Sequence, residues 1–286
     1  MLVVLVERQA SFLRHSGYKL LRMLAGARRA GIEAEVTDRP ERVSGRAPGF
    51  LHVDLTLVPA PFLDAAGRLD RCVNGAVASI HRGLYSAARL ERDSDWTGPV
   101  IVKTVLNHRG LPELNYGFGP GVAGRLRRLA ARVRSPDYKD DLCPRYRILP
   151  ALSDVPEEVW SDARLMVERF LPGALGGPIV KHRWDFAMEA SLVTRSIYDD
   201  PLCGVDSVRE VGDAGPPPDA LVALREAMAL DFGSIDFFET EDGAIPVDVN
   251  KTNTVDQSWI EAFPFVARHI EECTEALIAF AREGER

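Results

Sequence analysis

Cysteine is scarce in this sequence, and long apolar runs are missing. The four cysteines, Cys72, Cys143, Cys203 and Cys273, lie far apart without a CxxC pair, so neither a zinc knuckle nor a disulfide framework is predicted. The apolar start at residues 2–6 is too short for a signal peptide and has no basic residue before it. No stretch approaches the length of a membrane span. We therefore expect four reduced thiols in a cytoplasmic protein with no membrane partner.

An excess of positive charge is missing as well. The 286 residues carry a net charge of −7, with 46% hydrophobic and 27% charged residues, which is typical of a folded protein with length for two or three subdomains. Five arginines crowd residues 124–134. They could contact RNA, but in an acidic chain a solvated helix face is the simpler interpretation. We predict no nucleic-acid partner and expect a small anionic ligand at a local site.

Several catalytic motifs are absent. The first strand is followed by VERQASF instead of GxGxxG, which disfavours a dinucleotide site, and neither HExxH nor GxSxG occurs. Lys103, HRWD at 182–185 and DFG at 231–233 imitate a protein kinase. However, no glycine-rich motif precedes Lys103, Ala190 replaces the catalytic-loop asparagine, and no APE follows the DFG. The protein-kinase interpretation therefore fails on context.

Hydrophobic patterns predict an α/β protein with α+β subdomains. The N-terminal part alternates strand, helix, strand, loop and strand, the pattern of a small parallel α/β unit. Later segments predict further strands, helices and a hairpin. The predicted strands are 2–6, 32–37, 53–59, 98–104, 165–173, 177–186, 190–198, 234–240 and 244–250, the helices are 17–30, 74–92, 124–134, 221–230 and the last 25 residues, and 107–121 and 211–218 are a loop and a linker.

The predicted hairpin carries carboxylates on both strands. If residues 241–243 form a three-residue turn, Asp236 lies directly opposite Asp248, and Asn250 shares that face. Facing carboxylates repel unless a cation lies between them, and an amide oxygen is a third hard ligand, so Mg²⁺ is the natural occupant. A two-residue turn would move Asp236 to the opposite face and leave a solvated charge. Pro246 indicates an edge strand or a bulge.

In order and spacing, these segments resemble the ATP-grasp superfamily. The resemblance covers about residues 98–256 and is carried by VIVKT, a glycine-bearing loop, VERFLPG, DFGSIDF and DGAIPVDVN. It implies an ATP-grasp fold with an N-terminal parallel α/β lobe at 1–92 on the substrate side, a small ATP-grasp subdomain at 93–164 with the phosphate lysine and the glycine-bearing loop, and a C-terminal subdomain at 165–286 with the hinge and the metal hairpin.

The resemblance also implies ligands for ATP and Mg²⁺, with Mn²⁺ as an alternative ion. A strand lysine contacts phosphate, a loop covers the triphosphate, a hinge contacts adenine, and a late carboxylate and amide set holds the metal. Carried over by position, the nucleotide contacts are Lys103, Lys139, the loop 107–121, Glu168, Arg169, Phe170 and Leu171, the metal ligands are Asp236, Asp248 and Asn250, and the arginines for phosphate and acyl-phosphate are Arg183 and Arg195.

Some positions depart from the family pattern. Gly173 stands where an acidic residue commonly binds ribose, His81 or Arg82 replaces a lysine, and the phosphate loop at 107–110 reads NHRG with little glycine. The resemblance implies a ligase that joins an activated small-molecule or peptide carboxylate to an amine-type nucleophile. An ATP-grasp kinase, a nucleotide-binding module without turnover and a scaffold protein are the alternatives. The sequence names neither the substrates nor the oligomeric state.

Overall fold

The computed structural model describes residues 1–15, 17–135, 137–172, 178–204 and 207–283. Its strands form one parallel and two antiparallel sheets, which confirms the predicted α/β class with α+β parts. Across the described residues, no helix is both long and apolar enough to span a lipid bilayer.

The parallel sheet forms from the apolar run at the start of the chain, whose five residues are all buried, as in strands covered on both faces. The elements of this part are β1 (Leu2–Val6), α1 (Gln9–Phe12), α2 (Lys19–Arg29), β2 (Ala34–Thr37), β3 (Pro48–His52), α3 (Ala60–Ala66) and β4 (Arg71–Val73). The strand order is β2-β1-β3-β4. Because successive residues of a strand point to opposite faces, β1 contributes to a core against α2 on one side and to a core against α3 on the other.

The third predicted strand, 53–59, is wrong. The strand lies just before it, at Pro48–His52, and the chain then leaves the sheet. The main-chain N–H of Asp54 donates to the carboxylate of Glu7 at 2.9 Å instead of to a neighbouring strand. Val53 and Leu55 are nevertheless buried, so their alternation reflects loop packing.

The helix predicted at 74–92 is also wrong. Asn74 has a left-handed φ of 58°, and its side-chain oxygen accepts hydrogen bonds from the main-chain N–H groups of Asp231 and Phe232 at 2.9 and 3.0 Å. A turn forms there in place of a helix, because the amide satisfies main chain far away in the sequence. Only a 3-10 turn at Arg82–Leu84 follows before the next strand.

The second sheet is antiparallel and small. Its part of the chain contains β5 (Arg89–Leu90), β6 (Val100–Thr104), α4 (Leu111–Gly117), α5 (Gly121–Arg134), α6 (Tyr138–Leu142), β7 (Arg147–Leu149), α7 (Glu157–Ser161) and β8 (Leu165–Arg169). The strand order is β5-β8-β6-β7. Its strands come from both sides of the boundaries expected after residues 92 and 164, and the division into domains stays a prediction. The expected loop 107–121 contains α4 instead, which begins with Pro112 in its first turn.

The third sheet is antiparallel and carries the predicted hairpin. Its elements are β9 (Ile179–Ala187), β10 (Ala190–Tyr198), β11 (Val208–Asp213), α8 (Asp219–Ala227), β12 (Phe232–Thr240), β13 (Gly243–Asn250), α9 (Gln257–Ala262) and α10 (Pro264–Arg282). The order β11-β10-β9-β12-β13 leaves β13 at an edge, which suits Pro246. The linker predicted at 211–218 is wrong for its first three residues, which belong to the other edge strand. One face of the sheet packs its aromatic and aliphatic side chains against α8.

Polar side chains tie the third sheet to the N-terminal part. Buried Lys19 of α2 forms an ion pair with Asp185 of β9, which also lies 3.0 Å from His269 Nε2 of α10. Residues 251–253, directly after β13, make further contacts. The Lys251 ammonium donates hydrogen bonds to the main-chain oxygens of Val53 and Leu55. The Thr252 hydroxyl donates to Asp54 at 2.7 Å, and the Asn253 amide donates to Asp185 at 3.2 Å.

Candidate functional site

Three neighbouring strands bring the predicted metal ligands and one predicted arginine into a row. Arg183 of β9 lies opposite Asp236 of β12, and Asp236 lies opposite Asp248 of β13. Residues that are directly opposite share a face of the sheet, so all three project from the face that does not pack on α8. Asn250, two residues after Asp248, and Lys181, two residues before Arg183, share this face because the side-chain period of a strand is two.

The hairpin reaches this register by a route that the sequence did not predict. Thr240 pairs with Gly243, so the turn has two residues and not three. A two-residue turn alone would place Asp236 and Asp248 on opposite faces. The register shifts between Asp236 and Phe237, since Phe237 pairs with Pro246 and leaves Val247 as an extra residue. This bulge restores the predicted pair.

Asp236 is nearly buried and holds two cations. Its carboxylate lies 2.6 Å from Arg183 Nε and 3.0 Å from Lys181 Nζ. Burial raises the pKa of Asp236, but the charges of Arg183 and Lys181 outweigh it, and the pKa is lowered well below its ordinary value. The carboxylate is therefore ionised at neutral pH. Lys181 is not among the predicted site residues, although its position two residues before Arg183 on a predicted strand was a usable signal.

Asp248 is paired with a buried arginine from the N-terminal part. Arg82 is only 2% exposed, and its Nη2 lies 2.8 Å from Asp248 Oδ1. The same guanidinium donates to the main-chain oxygens of Val247 and Thr104, so it joins the bulge to the end of β6. Arg82, which stands where the family commonly has a lysine, therefore places a fixed positive charge beside a predicted metal ligand.

The side chain of Asn250 is oriented by its neighbour. Its amide oxygen accepts a hydrogen bond from the Thr252 main-chain N–H at 2.8 Å, while the Thr252 hydroxyl donates to Asp54. This fixes which atom of the amide carries the acceptor role in the hairpin. A carbonyl-type oxygen beside two carboxylates is a ligand set suited to a hard cation.

Lys103 lies at the end of β6 and is paired with the first hinge residue. Its ammonium is 2.7 Å from the carboxylate of Glu168, which is fully buried and also accepts from the Ser86 hydroxyl at 2.6 Å. Burial lowers the pKa of Lys103, and the nearby charge of Glu168 opposes that effect. Arg82 donates both to the main-chain oxygen of Thr104, next to Lys103 on β6, and to Asp248 of β13, so the second and third sheets meet at one site.

The remaining hinge residues close the end of β8. Phe170 is buried and its N–H donates to Pro99 O at 3.0 Å, while the N–H of Arg169 donates to Ala88 O at 2.7 Å. The Arg169 guanidinium lies 3.5 Å from Asp242 of the hairpin turn. Leu171 follows as a half-buried residue. The hinge strand thus borders the tip of the hairpin.

Two predicted residues lie away from this group. Arg195 is opposite His182 on β9 and not opposite Arg183, so it projects, exposed, from the other face of the sheet. Lys139 is exposed on α6 and lines a cleft with arginines of α5.

His81 and Gly173 are two positions at which the sequence departs from the family pattern. The Nδ1 atom of His81 accepts from the Gly83 N–H at 3.1 Å and so stabilises the 3-10 turn. Gly173 lies outside the described residues.

The charges of the site favour an anion. Four cations, Lys103, Lys181, Arg183 and Arg82, accompany three carboxylates, those of Glu168, Asp236 and Asp248. Within the described ranges, no cluster of three or more His, Cys, Asp or Glu side chains forms a metal centre by itself. Two carboxylates and an amide oxygen on one face nevertheless fit a Mg²⁺ ion that takes its other ligands from phosphate and water.

Comparison with known proteins identifies the fold. No protein-family model matches the chain, and no curated protein is significantly similar to it in sequence. The ATP-grasp ligase PsnB complexed with minimal precursor has a TM-score of 0.54 at 14% identity, over 97% of this chain and 98% of that one. A RimK domain ATP-grasp protein from Sphaerobacter thermophilus DSM 20745 has a TM-score of 0.50 at 13% identity, over 98% and 99%. The chain has the ATP-grasp fold.

Proposed function

We propose that the protein is an ATP- and Mg²⁺-dependent ligase that activates a carboxylate as an acyl-phosphate and joins it to an amine-type nucleophile. The observation that carries the proposal is the surplus of cations around Asp236 and Asp248, where two sheets of an ATP-grasp fold meet. A polyanion that brings its own divalent cation matches both the positive surplus and the oxygen ligands.

Each charged group has a role in this proposal. Asp236, Asp248 and Asn250 would hold Mg²⁺, whose positive charge would neutralise the nucleotide phosphates. Arg183 and Lys181, which now neutralise Asp236, would exchange that carboxylate for phosphate oxygens. Arg82 keeps Asp248 oriented. Because the guanidinium is planar, Arg183 suits an oxygen-rich phosphate better than a lysine would.

The reaction requires positioning and charge neutralisation, without a covalent protein nucleophile. A substrate carboxylate oxygen attacks the γ-phosphorus of ATP, and ADP leaves. The amine then attacks the acyl carbon, loses a proton, and inorganic phosphate leaves, so an amide bond forms. Lys103 and Arg183 would stabilise the negative charge that develops on the phosphoryl oxygens.

The substrate carboxylate is a small molecule or a peptide. PsnB was solved with a minimal precursor, and in another structure, of TM-score 0.53 and 13% identity over 95% of this chain and 98% of that one, with a phosphomimetic variant of it, Mg and ADP. Because the proposed reaction needs only a free carboxylate, a substrate screen of this protein includes peptides with Asp and Glu side chains, free amino acids and small dicarboxylic acids.

Two measurements test the proposal. Calorimetric titration with a non-hydrolysable ATP analogue should show binding that depends on Mg²⁺, and absence of binding would exclude a nucleotide site. Hydroxylamine, added with ATP and a panel of carboxylates, should trap the acyl-phosphate as a hydroxamate with release of ADP. Release of AMP, or a stable phosphorylated product that hydroxylamine does not consume, would contradict the ligase assignment.

A further inference from the structure

Helix α5 turns its apolar stripe to solvent. Val122, Leu126, Leu129 and Val133 recur at intervals of four, three and four residues, which places them on one side of a helix. A surface helix normally buries such a stripe against its own core. Here the four side chains are 72%, 61%, 58% and 79% exposed.

The opposite side of α5 contacts the protein through small residues. Gly124 is the one buried residue of the helix, and a Cβ atom there would lie 2.1 Å from the carbonyl oxygen of Gly119. Ala131, seven residues on and so on the same side, is half-buried. The helix is thus seated by a close backbone approach, and its larger apolar side chains have no partner among the described residues.

Arginines flank the exposed stripe on both sides. At 3.6 residues per turn, Arg125, Arg128 and Arg132 line one flank, and Arg127 and Arg134 line the other. None of the five forms an ion pair with a carboxylate in the part of the chain that the structure describes. The helix contains no acidic residue, although the whole chain has a net charge of −7. An unbalanced positive charge therefore borders the stripe.

One of these flanks opens into a cleft. Its volume is about 610 Å³, and Leu129 lies in its wall. Five basic residues line it, Arg125, Arg128, Arg132, Lys139 and Arg145, against two acidic ones, Asp137 and Asp140, of which Asp140 is already paired with Arg109 and Arg145. A concave surface with a surplus of positive charge next to an apolar stripe suits a helix that has one apolar side and acidic residues along its edges. A lipid surface is flat on this scale and would leave the cleft unfilled.

We propose that α5 and the adjoining cleft dock an acidic peptide segment that forms an amphipathic helix. Its apolar side would cover the stripe from Val122 to Val133, and its carboxylates would pair with the flanking arginines. A second copy of this chain is disfavoured as the occupant, because two α5 helices would bring ten arginines together. RNA is disfavoured because its charged phosphates would lie against four aliphatic side chains, where they lose hydration without gaining a polar partner.

The probe is a labelled synthetic peptide of about 18 residues, made of leucine and glutamate with leucine at every third or fourth position. Fluorescence anisotropy with the full chain, without nucleotide, should show saturable binding that weakens as salt increases. Leu126→Gln/Leu129→Gln, and separately Arg125→Gln/Arg128→Gln/Arg132→Gln, should weaken it about tenfold or more. A peptide of the same composition whose leucines are spread around the helix should not bind.

Matched variants separate this effect from general changes in the protein. Leu57→Gln/Leu84→Gln changes two leucines that are as exposed as those of the stripe and should leave binding intact, as should Arg28→Gln/Arg29→Gln/Arg42→Gln. Circular dichroism and Tm show whether each variant is folded.

Four results would overturn the proposal. They are equal binding of the two peptides, unchanged binding by both sets of α5 variants, binding of phosphatidylglycerol vesicles but not of the peptide, and a dimer that Leu126→Gln/Leu129→Gln dissociates. Because no nucleotide is present, none of these results depends on the proposed ligase activity.

Discussion

Asp236 and Asp248 lie opposite each other on neighbouring strands, although the two-residue turn between those strands would by itself put them on opposite faces. The extra residue Val247 corrects the register. Bulges are frequent beside functional sites, where they re-aim a side chain. Here the bulge brings a second carboxylate to the cationic face of the sheet, and Arg82 holds both Asp248 and the main-chain oxygen of Val247.

Asp248→Asn should separate metal binding from fold. We expect Mg²⁺-dependent binding of an ATP analogue to weaken at least tenfold, because the amide lacks the ligand charge. The free energy of unfolding should fall by about 1–3 kcal/mol, because buried Arg82 loses a charged acceptor. Calorimetry and urea denaturation measure the two effects. Asp199→Asn, in an exposed pair with Arg209, should change both by little, and unaltered Mg²⁺ dependence in Asp248→Asn would remove this residue from the metal site.

Lys103→Met should lower both stability and nucleotide affinity. Glu168 is fully buried and would lose its counter-ion, a change that costs about 3–5 kcal/mol in buried pairs. Lys103→Met/Glu168→Gln should recover most of the stability, because the uncompensated charge is gone, while the affinity for the ATP analogue stays low. Thermal denaturation and calorimetry on both variants make the comparison. A double variant with wild-type affinity would show that Lys103 only neutralises Glu168.

The two predicted arginines form a matched pair. Arg183→Gln should weaken binding of the ATP analogue by about tenfold or more, because it removes a cation that faces the site. Arg195→Gln should leave binding within about twofold, because its side chain projects from the other face of the sheet. Titration of both variants decides the matter. Equal losses would mean that the face assignment from the strand register is wrong.

Acid should weaken the protein partly through Asp185. Burial raises the pKa of this carboxyl, but Lys19 and His269 outweigh it, so the folded-state pKa lies well below the ordinary value. As the pH falls below about 4, the unfolded chain therefore binds more protons than the folded one, and the free energy of unfolding decreases. Above that range the contribution of Asp185 to the free energy of unfolding is fully present.

The matched variant for this prediction is Asp185→Asn. It should be less stable at pH 7 and lose less stability between about pH 5 and 3, as urea denaturation at several pH values would show. Part of the acid dependence should remain, because the pKa of Asp236 is lowered as well. Asp199→Asn serves as the control and should keep the wild-type slope. An identical slope in Asp185→Asn would contradict the assignment to Asp185.

Local pattern was sufficient for elements that bury one periodic face. The strands at 2–6, 190–198 and 232–250 and the C-terminal helix lie within a few residues of their predicted positions, because burial and side-chain period agree there. The sequence predicts a linker at 211–218, but its first three residues belong to the edge strand β11. Edge strands are stabilised by main-chain hydrogen bonds to one neighbour and need no apolar alternation.

The site was predictable only where its chemistry is local. The spacing of Asp248 and Asn250 is visible in the sequence, whereas the contact of Arg82 with Asp248 spans 166 positions. Such a pair depends on how two sheets meet, which local propensity does not encode. The same holds for the bulge, since Pro246 indicated an irregular strand but did not tell which turn it would accompany.

The tie between β13 and the N-terminal lobe has a thermodynamic consequence. Residues 250–253 are consecutive, and the first is a proposed metal ligand while the next two bond Val53, Leu55 and Asp54 of that lobe. If binding of metal and nucleotide shifts this stretch of backbone, it also shifts the groups of the lobe that are bonded to it. The coupling free energy is reciprocal, so a ligand bound to the lobe changes the affinity for metal and nucleotide by the same amount. We therefore expect affinity for ATP and affinity for the second substrate to change together.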